Sequence, residues 1–149
     1  MVSANATETA KARFGEMLTS GRWLASYCLT EANAGSDAAS LRTKAVKTGN
    51  EYVITGNKIF ISGAGETEVL VVMARTSEPG AKGISAFVVD ADSAGISFGR
   101  AEDKMGWNAQ PTRMVNFDQV RVPAANLLGK EGDGFTIAMK GLDLSLIHI

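Results

Sequence analysis

Between Leu24 and Phe117 the chain never keeps one pattern for long. Short apolar or alternating runs are cut by Gly, Asn, Asp, Ser and Pro at roughly every 8–12 residues, the spacing of strand-and-turn folds. The runs are Leu24–Leu29, Leu41–Lys47, Glu51–Thr55, Lys58–Ser62, Glu68–Arg75, Ile84–Val89, Ile96–Phe98 and Met114–Phe117. Thr48-Gly49-Asn50 reads as the turn of a hairpin, and Gly56-Asn57 ends its second arm. Glu68–Arg75 is almost continuously apolar, which predicts a central strand buried on both faces. Long helices do not alternate with these runs, which argues against a doubly wound nucleotide-binding sheet. The pattern predicts a mainly β fold, an antiparallel barrel or sandwich of about seven or eight strands.

Helical spacing appears only at the two ends. Ala10, Phe14, Met17 and Leu18 form one apolar stripe over residues 8–20. Thr7 is placed to cap that helix, with Ala10 where a capping box would need Glu, and Gly21 is placed to stop it. After Val122-Pro123 the spacing turns helical again, through Phe135, Ile137, Ala138 and Leu142. Three regions follow: 1–22 as the end of a helical domain, 23–121 as a middle β-domain, and 122–149 as the start of a second helical domain.

Composition removes several function classes. A formal net charge of −1 gives no general attraction to nucleic acid or to acidic membranes. Val69–Ala74, the longest clean apolar run, is far too short to span a bilayer as a helix. The first residues lack the charged and apolar regions of a targeting segment. A single cysteine, Cys28, allows no internal disulfide, and within an apolar strand it reads as packing. The one histidine, His148, supports neither a triad nor a zinc site.

Two stretches carry more than fold. Tyr27-Cys28-Leu29-Thr30-Glu31 runs into Ala32-Asn33-Ala34-Gly35-Ser36-Asp37, a strand end followed by a loop. Strand ends offer unpaired N–H and C=O groups to the edge of a flat heterocycle. Gly35 allows a left-handed backbone and close ligand approach, and successive N–H groups there can form an anion nest. The second stretch, Lys58-Ile59-Phe60-Ile61-Ser62, is a strand closing on a hydroxyl. Together with Gly106–Arg113, Val122–Asn126 and Gly132–Phe135, in that order, these segments resemble the acyl-CoA dehydrogenase family. The resemblance covers roughly residues 7–143. Phe60–Glu66 and Gly106-Trp107-Asn108 look most like its isobutyryl-CoA dehydrogenase branch.

The resemblance implies an FAD-dependent oxidation of the Cα–Cβ bond of a short, branched acyl-CoA, as in valine degradation. It implies that the flavin's polar edge meets Tyr27, Cys28, Leu29 and Thr30, with Thr30 donating to the ring. Phe60 would lie beside the ring, where many relatives carry Trp, with Ile61 and Ser62 following and Ser62 near N5. Gly35 and Ser36 would face the pyrophosphate, Ser36 also the acyl-CoA. Ala32-Asn33-Ala34 departs from the family's usual Pro-Gly start to that loop, which leaves the loop path open. The implied base is a glutamate of the C-terminal helical domain, and no carboxylate here matches it; Glu131 reads as a helix N-terminal charge. The implied partners are acyl-CoA, an electron-transferring flavoprotein and further copies in a homotetramer. The implied compartment is the bacterial cytoplasm or the mitochondrial matrix. An acyl-CoA oxidase or a non-catalytic β-barrel binding module fits the same residues. So do plainer roles: Thr30 and Ser62 as turn caps, Phe60 as core, Trp107 as a hydrophobic anchor, and Lys44, Lys47 and Lys58 as a solvated face. Leu144–Ile149 departs from the family pattern and is expected to be a mis-joined or truncated reading.

Overall fold

The computed structural model describes residues 1–147, and side chains through Asp143. Eight strands form one sheet: β1 Ala25–Cys28, β2 Lys44–Thr48, β3 Glu51–Ser62, β4 Val69–Arg75, β5 Ile84–Asp90, β6 Ile96–Phe98, β7 Thr112–Pro123 and β8 Leu127–Leu128. Their order is β6-β7-β3-β2-β4-β5-β8, and β1 pairs with β4 off that path. The mainly β expectation holds, with two qualifications. The sheet is not closed, and β4 takes parallel partners in β1 and, at the Lys44/Arg75 bridge, in β2.

The sheet curls so that one half packs on the other. On β4, Leu70, Val72 and Ala74 face Tyr52, Ile54 and Ile61 of β3 and Val115, Phe117, Val120 and Val122 of β7. The alternate residues Val69, Val71 and Met73 face the helices. Both faces of β4 are thus buried, as its unbroken apolar run requires. The helical face is closed by Val2, Ala10 and Phe14 from the N-terminus and Ile137 and Ala138 from α4, Gly134–Ile147.

The N-terminal helix is segmented. Val2–Asn5 (α1) precedes Glu8–Ala10 (α2), a π-helical stretch Lys11–Gly15, and Glu16–Thr19 (α3). Thr7 caps as expected, its Oγ1 accepting from Ala10 N–H at 3.1 Å. Gly21 stops the run with φ +72°. At the wide turn, Thr19 Oγ1 donates to the Gly15 carbonyl at 2.8 Å, and such back-bonding loosens the ladder.

Three strand expectations change. Gly56-Asn57 does not end the second hairpin arm: β3 runs through it, because Gly56 takes φ +148° against Thr43 and lets the strand continue. The last expected strand is not confined to Met114–Phe117 but extends over all of β7, which pairs with the whole of β3. Between Val122-Pro123 and α4 lies a one-turn Ala124–Asn126 segment and the short strand β8. The expectation about Leu144–Ile149 falls on side chains, and on residues 148 and 149 altogether, that lie outside the described residues.

Candidate functional site

β1 ends at an open edge. Val69 N–H donates to the Leu24 carbonyl at 3.2 Å, and alternation along a parallel pair then turns Ser26 and Cys28 to β4. The backbone groups of Tyr27 and the N–H of Leu29 point the other way, and β1 ends at Cys28. Among the described residues, none pairs with the N–H of Tyr27, Leu29 or Thr30. The far side of this edge is held against β3. Ser26 Oγ donates to the Ser62 carbonyl at 2.8 Å, and Ile59 N–H donates to the Thr30 carbonyl at 2.9 Å.

That part of β3 is irregular. Lys58 pairs with Val115 and Ile61 with Arg113, so Ile59 and Phe60 together oppose Met114 alone, a β-bulge. Phe60 takes φ +56°, a rare conformation for a bulky residue. Its ring is thrown out of the core and is 61% exposed. Bulges of this kind re-aim a side chain, and strained backbone of this kind clusters where a ligand is held.

Behind the edge lies a buried ion pair. Lys58 is fully buried, and its Nζ donates to the Leu29 carbonyl at 3.0 Å and to Glu31 Oε1 at 2.8 Å. The Glu31 carboxylate also accepts from Arg42 N–H at 2.6 Å and Thr43 N–H at 2.9 Å. Burial opposes its charge, but Lys58 and these donors outweigh burial and hold Glu31 below the ordinary carboxylate range. Burial lowers Lys58 from the ordinary amine value, and Glu31 opposes that shift. The expectation that Lys58 joins Lys44 and Lys47 on a solvated face is therefore wrong. Lys58 keeps the inward parity of Tyr52 and Ile54, and the bulge at Phe60 then shifts that parity by one and brings Ile61 to the same side.

The loop beyond Glu31 is pinned at its start, where Glu31 and Ala34 exchange backbone hydrogen bonds of 3.1 and 3.0 Å. Its far side is held by Arg75, which donates to the carbonyls of Ala39 and Leu41 at 2.8 and 3.0 Å. Gly35 and Ser36 are exposed at the tip. Gly35 lies outside the left-handed region, and a Cβ added there would meet nothing within 4 Å. Its conformational freedom is not needed; what it contributes is open space. Among the described residues, none accepts from the N–H groups of Gly35, Ser36 or Asp37.

The two motifs thus meet. Thr30, Phe60 and Ser62 present partly or fully exposed side chains, whereas Cys28, Leu29 and Ile61 are buried and offer only backbone. Burial pushes the Cys28 thiol up to about 12, consistent with packing rather than reactivity. Burial likewise pushes the Tyr27 phenol up to about 12. Trp107 is no anchor in the described chain: it stands 87% exposed, at φ +57°. The sequence suggested no role for Glu31, Ser26 or Arg75, and a surface role for Lys58. The one available signal was a charged residue inside each motif. Glu131 accepts from the Tyr52 hydroxyl, which links β3 to the turn before α4.

An open row of N–H groups, an outward ring beside it and a loop tip of unpaired N–H groups fit a flat heterocycle carrying a phosphate. Known proteins give the same indication. Residues 26–120 match the family profile described as the acyl-CoA dehydrogenase middle domain. Isobutyryl-CoA dehydrogenase of Dictyostelium discoideum is 51% identical over 150 residues, covering 100% of this chain and 36% of the relative. The Bos taurus enzyme of that name is 54% identical over 84% of this chain and 30% of its own length. Butyryl-CoA dehydrogenase from Megasphaera elsdenii superimposes with a TM-score of 0.92 at 40% identity, over 95% of this chain and 38% of that one. The chain spans about a third of the length of these relatives. It belongs to the acyl-CoA dehydrogenase family and carries that family's middle domain.

Proposed function

We propose that this chain is the cofactor-facing middle of an FAD-dependent dehydrogenase acting on a short, branched acyl-CoA, and that isobutyryl-CoA fits it best. The observation that carries the reading is the open Tyr27–Thr30 edge set beside the outward ring of Phe60. When bound there, FAD supplies the acceptor for a hydride from Cβ. The chain's own residues bind and orient. The N–H groups of Leu29 and Thr30 and the Thr30 and Ser62 hydroxyls take the ring's polar edge. Tyr27 and Cys28 shape that edge, Phe60 and Ile61 flank the ring, and Gly35 and Ser36 receive the pyrophosphate, Ser36 also the acyl-CoA.

The α proton requires a placed base. Glu31 cannot serve, since Lys58 and two N–H groups occupy its carboxylate. The base belongs to the helical domain that residues 122–149 begin, just as residues 1–22 end the preceding helical domain and 23–121 form the β-domain. The same reading gives an electron-transferring flavoprotein as partner and a homotetramer as assembly. It places the reaction in valine degradation, in the bacterial cytoplasm or the mitochondrial matrix. No described helix is long and apolar enough to cross a membrane.

The test replaces the matching segment of the Dictyostelium relative with residues 1–143. A yellow protein whose flavin band bleaches with isobutyryl-CoA is the expected result. A folded but colourless chimera would leave the β-domain as a binding module for something else.

A further inference from the structure

We propose that Lys58, held by Glu31, tunes the bound flavin through a single peptide group, the one joining Leu29 to Thr30. The inference rests on the flavin reading above. Lys58 Nζ donates to the Leu29 carbonyl at 3.0 Å. The N–H of that same peptide group is Thr30's, which has no acceptor among the described residues and points away from Lys58, trans to that carbonyl. A cation on the carbonyl polarises the amide and strengthens its N–H as a donor, because hydrogen bonds in series reinforce one another. A strengthened donor suits a ring edge that gains negative charge on reduction.

Stability alone does not account for a buried lysine here. Well-packed apolar residues often replace buried ion pairs without loss. The placement of this pair is specific. Lys58 lies between the Gly56 irregularity and the Phe60 bulge, and Glu31 follows Thr30 directly. Glu31 is further tied to the N–H groups of Arg42 and Thr43, which fixes the ammonium along its length. Lys58 is thus a positioning residue and touches neither substrate nor cofactor.

The test uses the holoenzyme chimera described above and measures oxidised and reduced FAD binding together with the flavin potential. Lys58→Met with Glu31→Gln removes the pair without stranding a charge. Reduced flavin should then bind about tenfold more weakly relative to oxidised flavin, a fall of about 30 mV for a two-electron couple. Glu31→Gln alone keeps the ammonium on the Leu29 carbonyl, and the potential should hold or rise. If the double variant does not fold, Lys58→Gln, with a neutral donor in the same place, should lower the potential. Equal weakening of both redox states, or an unchanged potential, would overturn the inference. A parent chimera that folds but holds no FAD would instead overturn the flavin reading and this inference with it.

Discussion

At the scale of single residues, the cost of the site is concentrated at two positions. Lys58→Met leaves the Glu31 carboxylate buried without its cation, and should destabilise the fold by about 3–5 kcal/mol in urea unfolding. Glu31→Gln/Lys58→Met should cost much less. Acid titration gives an independent check. Glu31 has a folded pKa below its unfolded one, so its contribution is complete above the unfolded value of about 4.3 and is lost as pH falls through the folded value. Midpoints followed from pH 6 downwards, through about 4, should fall more steeply in the parent than in Glu31→Gln. Phe60 makes the opposite trade. Its left-handed backbone costs about 1–2 kcal/mol, and its exposed ring returns little burial. Phe60→Gly should therefore be more stable than Phe60→Ala by about 1 kcal/mol, while both lose flavin affinity. Equal stability of the two would mean that the bulge relaxes in solution.

At the scale of elements, β3 is the part that holds the site together. Its length depends on Gly56, where an added Cβ would meet Thr43 Oγ1 at 2.7 Å and Thr43 Cα at 2.8 Å. Gly56→Ala should cost about 1–3 kcal/mol from overpacking and more from backbone strain, read as a lower thermal midpoint. The same strand holds Tyr52, whose phenol is pushed up to about 12 by burial and then by Glu131. A raised value means that this contribution is full below about pH 10 and fades between about 10 and 12. Tyr52→Phe should remove that alkaline loss. Element by element, the sequence was readable wherever period and turn chemistry agreed. β4 showed itself by its apolar run and the β2–β3 hairpin by Thr48-Gly49-Asn50. The reading failed at the irregularities. Gly56-Asn57 looks like a terminator because local chemistry cannot show that β7 waits to pair across it. Lys58 looks solvated because a lysine reads as an outward residue and Gly56-Asn57 reads as a break, although the inward parity of Tyr52 and Ile54 runs through to it.

At the scale of the whole molecule, β4 and β5 lie between two cores, one shared with the helices and one with β3 and β7. Phe14, fully buried on the helical side, ties the N-terminal helices to the sheet. Phe14→Ala should cost about 3–5 kcal/mol, measurable by denaturant unfolding. The candidate site lies at the seam of this arrangement, where β1, β3 and the Glu31–Ser40 loop meet. Its chemistry was legible because the two motifs are locally distinctive. Its geometry was not, because bringing them together depends on strands remote in sequence.

That remoteness has a consequence in time. Phe60 keeps its bulge only while Arg113 and Val115 pair on either side of it, and β3 and β7 pair from Glu51/Pro123 to Ser62/Thr112. Contacts so distant along the chain form slowly. During synthesis at about 5–20 residues per second, the ribosome needs several seconds after Phe60 to make the strand that locks it. Through that interval the growing polypeptide carries an unpaired β3 edge and a loose aromatic ring. A nascent chain has most need of a chaperone in that window, before β7 exists.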